Sequence, residues 1–246
     1  MFGLIVGIGV GMMVLERLVP DQDLPHSSGW WRRAVAFNSV QLAVVIIGGV
    51  AWDVYLQQWS IFVLSEWLAH PVAQGFVGYL LSTLIYYWWH RFRHMSSFLW
   101  QTLHQIHHSP VRIEIITSFY KHPFELLTNS ILSGLISYTL LGLSIEAAAW
   151  MTLFSALGEF FYHMNIATPQ WVGWFIQRPE MHRIHHQRHV HASNYGDLPI
   201  WDMLFGTYKN PHTYQGECGF EPPREQQVMS MLLMKDVNVV SEHLSK

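Results

Sequence analysis

The chain has 246 residues, is half apolar by count, carries charge at only 13% of its positions, and has a formal net charge of −3 with its histidines neutral. That balance excludes a nucleic-acid binder working through a basic surface and an intrinsically disordered chain, which needs the opposite composition. Twelve tryptophans and a single cysteine exclude a disulfide scaffold or an iron–sulfur protein and point to a membrane setting, with Cys218 expected to be an inert thiol.

Five apolar stretches of near-spanning length run over 2–19, 35–56, 72–89, 124–141 and 145–162, and each is predicted to be a helix. By length alone the third and fifth fit long buried helices as well, but Trp and Tyr at the segment ends resemble interfacial belts. The first stretch has neither a basic start nor a small-residue cleavage site, so it is expected to stay as an anchor. Gly3, Gly7 and Gly11 within it suggest a close helix-packing ridge. If all five stretches cross, all 14 lysines and arginines fall on one side, because 53–71 and 142–144 carry none. The positive-inside rule then places the N-terminus outside and the other loops in the cytoplasm. Two stretches could instead be re-entrant hairpins. The expected fold is an all-α integral membrane protein of four to five transmembrane or re-entrant helices with a cytoplasmic helical cap. It forms one domain over 1–246, with a core at about 79–208 and a tail at 209–246.

Three clusters carry the chemistry. His90 and His94 end the third stretch, His104, His107 and His108 follow it, and His182, His185 and His186 follow the fifth. The spacings His-x-x-x-His and twice His-x-x-His-His place imidazoles at i, i+3 and i+4, which is one face of a helix. A solvated histidine-rich loop would scatter its residues or run them consecutively. Neutral imidazole is the commonest metal ligand in proteins, and eight imidazoles are too many for one ion. Met95, Ser96 and Ser97 allow a break after which His104 to His108 fold back beside the first cluster. Pro179-Glu180 is placed to open the helix of the third.

These residues resemble the fatty acid hydroxylase and sterol desaturase superfamily of membrane di-iron oxygenases. The resemblance covers about 79–208. Beyond the three boxes it rests on His108-Ser109, Lys121-His122-Pro123-Phe124-Glu125, Phe161-Tyr162-His163-Met164-Asn165, Asn194-Tyr195-Gly196 and Trp201-Asp202-x-x-Phe205-Gly206-Thr207-Tyr208. The pattern is most similar to the branch holding alkylglycerol monooxygenase and the sterol C5-desaturases. It implies two iron ions, with zinc as a substitute in purified protein, held by His90, His94, His104, His107, His108, His163, His182, His185 and His186. In several relatives the position four before the counterpart of His163 is also histidine; here it is Glu159, leaving a metal ligand, a hydrogen-bonding support or a paired acid as its readings. His122, His189 and Asn194 are further candidates for supporting the ligands. For His189 and His191 a solvated turn is the alternative, and His26, His70, His212 and His243 read as surface residues.

The implied activity is O2-dependent hydroxylation of a C–H bond in a membrane lipid, with desaturation at the same site as the alternative. A histidine-rich membrane metal transporter is the more distant one, though transporters place their ligands near mid-membrane. The chain has no flavin fingerprint, haem domain or cysteine cluster, so electrons must come from an external donor of ferredoxin or cytochrome type. Arg91, Arg93, Arg183 and Arg188 could attract such a carrier, although topology alone would put arginines there. Trp171, Trp174 and Phe175, followed by Arg178, read as an interfacial rim of the lipid entrance, and the tail from Arg224 with Val228, Met231, Leu232 and Met234 reads as a membrane-surface segment.

Overall fold

The computed structural model describes residues 1–190 and 192–238. His191 and His243 lie outside them. Every one of the five apolar stretches is helical: α1 (Phe2–Leu18), α2 (Trp30–Val50) with the short α3 (Trp52–Leu56), α4 (Pro71–Met95), α7 (Pro123–Gly134) continued by a π-helical run Leu135–Leu140, and α8 (Ile145–His163). Between α4 and α7 lie α5 (Ser97–Leu99), a π-helical turn Trp100–His104 and α6 (Gln105–His108). After α8 come α9 (Pro179–His185), α10 (Pro199–Leu204) and α11 (Val228–Leu232). No strand occurs among the described residues.

The helix starts follow local chemistry. Pro71, Pro123 and Pro179 each sit in a first turn, where a missing N–H costs nothing. His70, His122 and Ser144 cap their helices by accepting from Val72 N, Phe124 N and Ala147 N. α4 and α8 form the principal packed pair because Gly75 and Gly78 remove side chains from the contact. A Cβ on Gly75 would lie 2.6 Å from Ala147 O, and one on Gly78 would lie 3.2 Å from Met151 Sδ. The glycines that bring this pair together are therefore on α4. At Gly3, Gly7 and Gly11 an added Cβ meets nothing within 4 Å, so the ridge expected on α1 is not used among the described residues; Gly9, packed on Phe160, is the glycine of that helix that touches a neighbour there.

The helices turn apolar side chains outward, among them Val6, Val10 and Val14 on α1 and Val45, Ile46 and Ile47 on α2. Among the described residues one helical run, Trp30–Leu56, is long and apolar enough to cross a membrane by length and composition. The loops divide between two ends. At one end, Ile61, Phe62 and Leu64 donate backbone N–H groups to Thr139, Leu140 and Leu141. At the other, the buried carboxylate of Glu16 at the end of α1 accepts from Ile115 N (3.0 Å) and Asn165 N (3.1 Å), tying α1 to the segments beyond the second histidine cluster and beyond α8. That second end holds all the histidine clusters.

The tail departs from the sequence expectation. Met231 is fully buried with Trp30, Phe37, Ile106, Tyr120 and Phe220, and Val228 and Leu232 pack against the same cluster. Burying Met231 contributes about 1.5–3 kcal/mol. α11 thus braces the back of α6, and Gln105 Nε2 donates to Lys235 O at 3.0 Å.

Candidate metal centre

His90 and His94, one turn apart on α4, reach inward from its last two turns. The chain breaks at Ser96, whose side chain caps α5, and returns through the π-helical turn that swings His104 toward α4. A single π turn of this kind is common at functional sites. α9 brings the third box in from the far side, and α8 delivers His163 from its final residue.

The nine histidines assemble into two groups. His90, His94, His104, His108 and His185 form one, and His107, His163, His182 and His186 the other; within each group one nitrogen per residue lies within 4.8 Å of all the others. Seven of the nine are at most 2% exposed, while His90 and His94 are half-buried. In the first group His104 Nε2 lies 3.0 Å from His90 Nε2 and 3.2 Å from His108 Nε2. In the second, His182 Nε2 lies 3.0 Å from both His163 Nε2 and His186 Nε2. Adjacent nitrogens around an ion with bonds of ~2.1 Å should stand about 3.0 Å apart, and opposite ones about 4.2 Å apart. Each group fits that pattern for one ion. His107 Nδ1 is also buried without a hydrogen-bond partner among the described residues. The groups share a wall, with the His108 and His186 rings stacked at 4.3 Å and 18°.

The outer nitrogens set the tautomers. His90 Nδ1 donates to Tyr195 O, His185 Nδ1 to Ser193 O and His163 Nδ1 to Glu159 O, each at 2.8 Å. His104 Nδ1 lies 3.1 Å from Glu125 Oε1, whose charge is balanced by Arg93. Gln177 Nε2 lies 2.6 Å from His182 Nδ1. A proton fixed on Nδ1 leaves Nε2 as the inward lone pair. Burial, followed by neighbouring cations and imidazoles, pushes His104, His107, His108 and His182 well below the usual histidine range. They stay neutral, as ligands must.

The supporting candidates divide. Asn194 is fully buried in the left-handed region (φ 56). Its Nδ2 donates to Met181 O and Lys209 O, and its Oδ1 accepts from Lys209 N. It therefore pins the segment whose two neighbouring carbonyls, on Ser193 and Tyr195, receive His185 and His90. Asp202 holds the same segment by accepting from Tyr195 N and Gly196 N. Glu159 belongs to neither group. Its carboxylate pairs with Lys121 at 2.6 Å and accepts from Tyr162 Oη at 2.7 Å; toward the site, its backbone carbonyl accepts from His163 Nδ1 and its Oε1 stands 3.9 Å from the same nitrogen. His122 caps α7 and, among the described residues, its hydrogen bonds are with Phe124 N and Leu232 O and not with a histidine of the groups. His189 is half exposed beside Glu221, so the solvated turn describes it and the supporting role does not. His26, His70 and His212 are exposed. Arg93, Arg183 and Arg188 are engaged with Glu125, Asp21 and Glu217, which removes three of the four arginines considered for an acidic carrier. Arg178 is buried and clamps Thr168 O and Asn210, while Trp171, Trp174 and Phe175 are 60–70% exposed. Cys218 is buried and its thiol is pushed up to about 11 by burial, which keeps it unreactive.

Two adjoining cages of imidazole at one end of a helical bundle mark a protein whose chemistry would be carried by histidine-held metal. Comparison with known proteins gives the family: residues 75–207, more than half of the chain, match the fatty acid hydroxylase model, and the chain belongs to that family. It is 28% identical over 211 residues to alkylglycerol monooxygenase of Xenopus tropicalis, covering 80% of this chain and 45% of that protein. It is 27% identical over 219 residues to ornithine lipid hydroxylase OlsE of Rhizobium tropici (80% and 63%), and 26% identical over 167 residues to sphinganine C4-monooxygenase 2 of Arabidopsis thaliana (66% and 62%). The chain thus spans roughly half the length of these relatives, from 45% to 63%. No solved structure matches it. Those three relatives are named for the hydroxylation or monooxygenation of lipids or lipid precursors.

Proposed function

We propose that the protein is a multi-pass membrane oxygenase that uses two iron ions and O2 to hydroxylate a C–H bond of a lipid. The observation that carries this is the division of the nine histidines into two adjoining groups, each with the nitrogen spacing of a single ion. When bound, a pair of iron ions supplies the reductive activation of dioxygen that no side chain can perform. The chain's own residues do the rest. The nine imidazoles hold and space the ions, and Tyr195 O, Ser193 O, Glu159 O and Glu125 hold the outer nitrogens of His90, His185, His163 and His104 so that their Nε2 atoms turn inward. The buried walls exclude bulk water from all but the His90–His94 edge. That edge is flanked by exposed Phe92, Met95 and Phe98, a surface suited to a lipid approaching from the bilayer.

Hydroxylation is preferred to desaturation because the relatives above are named for hydroxylation or monooxygenation. The outward apolar faces and the gathering of the lysine- and arginine-bearing loops at the histidine end support a cytoplasmic centre and an outward N-terminus. Electrons come from an external ferredoxin or cytochrome-type donor. The test is metal analysis and lipid mass spectrometry on the same protein. About two ions per chain and a reductant- and O2-dependent gain of one oxygen on a lipid are expected. A stoichiometry of one ion defeats the dinuclear reading, and loss of two hydrogens in place of a gained oxygen makes the enzyme a desaturase.

A further inference from the structure

A cavity of about 330 Å³ opens beside the four-histidine group, between α1, α4 and α8, lined by Met12, Tyr79, Leu157, Phe161, Ile176 and Asp197 together with Gly158, Tyr162 and Gln177. Its walls are apolar toward Ile176, which is 40% exposed and adjoins Trp174 and Phe175 at the surface. Its other end is polar. Gln177 and Tyr162 separate it from His182, with the Tyr162 and His182 rings 4.4 Å apart and Gln177 on the Nδ1 side of that imidazole. An occupant would therefore touch groups that hold a ligand and would not meet the inward-facing nitrogens.

With Asp197 ionised, the hydrogen bonds at the polar end are one donor short. Tyr162 has a single phenolic proton and stands between two carboxylates, 2.7 Å from Glu159 and 3.1 Å from Asp197. Glu159 takes that proton at the shorter distance and has Lys121 as its cation. Asp197 is left to find its donor in the cavity. Across from it, a Cβ on Gly158 would fall 3.3 Å from Tyr79 Oη and 3.5 Å from Asp197 Oδ2, so the missing side chain leaves a phenol and a carboxyl facing one gap. A phenol gives a proton and a carboxylate accepts one, which is the complement of an alcohol. A carboxylate or phosphate would instead face Asp197 and Glu159 with Lys121 already engaged. Burial and the nearby Glu159 raise the Asp197 carboxyl to about 7, so it carries less than a full charge to attract a cation.

We propose that this cavity is a lipid-binding subsite beside the four-histidine group, taking an apolar segment that ends in a hydroxyl, with Asp197 as the residue that selects hydroxyl over anionic ends. This rests on the lipid-hydroxylase reading and adds to it a second lipid contact, away from the His90–His94 edge, that favours hydroxyl-bearing lipids.

The test is photocapture by the full-length protein in phosphatidylcholine nanodiscs. The probes are a long-chain primary alkanol with a mid-chain diazirine and the alkanoate and alkylammonium of the same length. The expected result is alkanol labelling on Leu157, Phe161 or Ile176, about tenfold above the alkanoate and above the alkylammonium. Asp197→Leu should lose that preference. Asp197→Asn, which still accepts a hydrogen bond, should keep alkanol capture and gain alkanoate capture. Leu157→Trp should abolish labelling by filling the cavity, with metal content reporting that each variant is folded. Equal capture of alkanol and alkanoate, stronger capture of the ammonium, or labelling that survives Leu157→Trp each overturns the proposal. The lipid mass shift separates the two claims: oxygenation without selective capture removes the subsite and leaves the enzyme, whereas selective capture without oxygenation removes the hydroxylase reading.

Discussion

In the five-histidine group the second box contributes its i,i+4 pair, His104 and His108, and the third box its single His185. In the four-histidine group the third box contributes its pair, His182 and His186, and the second box its single His107. The boxes are thus exchanged between the two groups. α4 adds the pair His90 and His94 to the first group, whereas α8 adds only His163 to the second, because the residue one turn earlier is Glu159. The two groups differ further in exposure, for the first is half open along His90 and His94 and the second is closed. One sequence pattern therefore yields two sites of unequal ligand number and access, and the inequality of number traces to a single helical position.

The severest way to break this comparison is to remove the histidine that touches two partners in each group. His104→Ala and His182→Ala should each lower metal content from about two ions to about one per chain and reduce activity by more than about 100-fold, as read by elemental analysis and turnover. Loss of both ions from either variant would show that the groups are one site and not two.

Acid offers the next largest effect. His104 and His108 in one group and His107 and His182 in the other are all held well below the usual histidine range by burial. In the unfolded chain each titrates near ~6.5. Below that pH the unfolded state binds protons that the folded, metal-free protein refuses, so stability is lost as pH falls. The slope reaches about 1.4 kcal/mol per pH unit for each imidazole. Thermal unfolding of chelator-treated protein should be flat above about pH 7 and steepen below about pH 6.5. A midpoint that does not move between these limits would mean that the cages accept protons when empty, and the burial contrast would lose its meaning.

A smaller and selective effect is expected at Asn194. Asn194→Gly keeps the left-handed backbone and deletes three buried hydrogen bonds that pin the carbonyl acceptors of His90 and His185. Metal affinity of the five-histidine group should fall about 10- to 100-fold with the other group unaffected, measured by chelator competition. Equal weakening of both groups would assign Asn194 to general stability.

What could be read from the chain beforehand follows from what kind of signal each feature leaves. Helical stretches and i,i+4 spacings are periodic, so the five long helices and the convergence of the histidines were legible. Asn194 was legible through its motif. The acceptors on Ser193, Tyr195 and Glu159 were not, because a backbone carbonyl carries no residue identity. Glu125 stood inside a recognised motif, yet its aim at His104 depends on the π turn that rotates that ring. Gln177 lies five residues before His182 in an unremarkable segment, and only the fold brings its amide against the imidazole. The glycine ridge failed for a related reason: spacing identifies small residues on one face, while the contact depends on which helix passes, and it is α8 that crosses Gly75 and Gly78.

Glu159 gives the finest test, because it sits one turn before His163 as His90 sits one turn before His94. Glu159→His alone is a poor experiment. It leaves Lys121, 8% exposed, without its anion, and an unpaired buried charge costs about 3–5 kcal/mol. Pairing it with Lys121→Met removes the stranded cation and keeps an apolar stem of similar length in its place. In that double variant the second group has five imidazoles, two pairs and a single, as the first group does. Its ion should be retained about tenfold longer against chelator than in Lys121→Met alone, with the five-histidine group unchanged as an internal reference. If retention does not rise, the shortfall of one ligand is not what distinguishes the two groups, and the difference must come from closure of the four-histidine group alone.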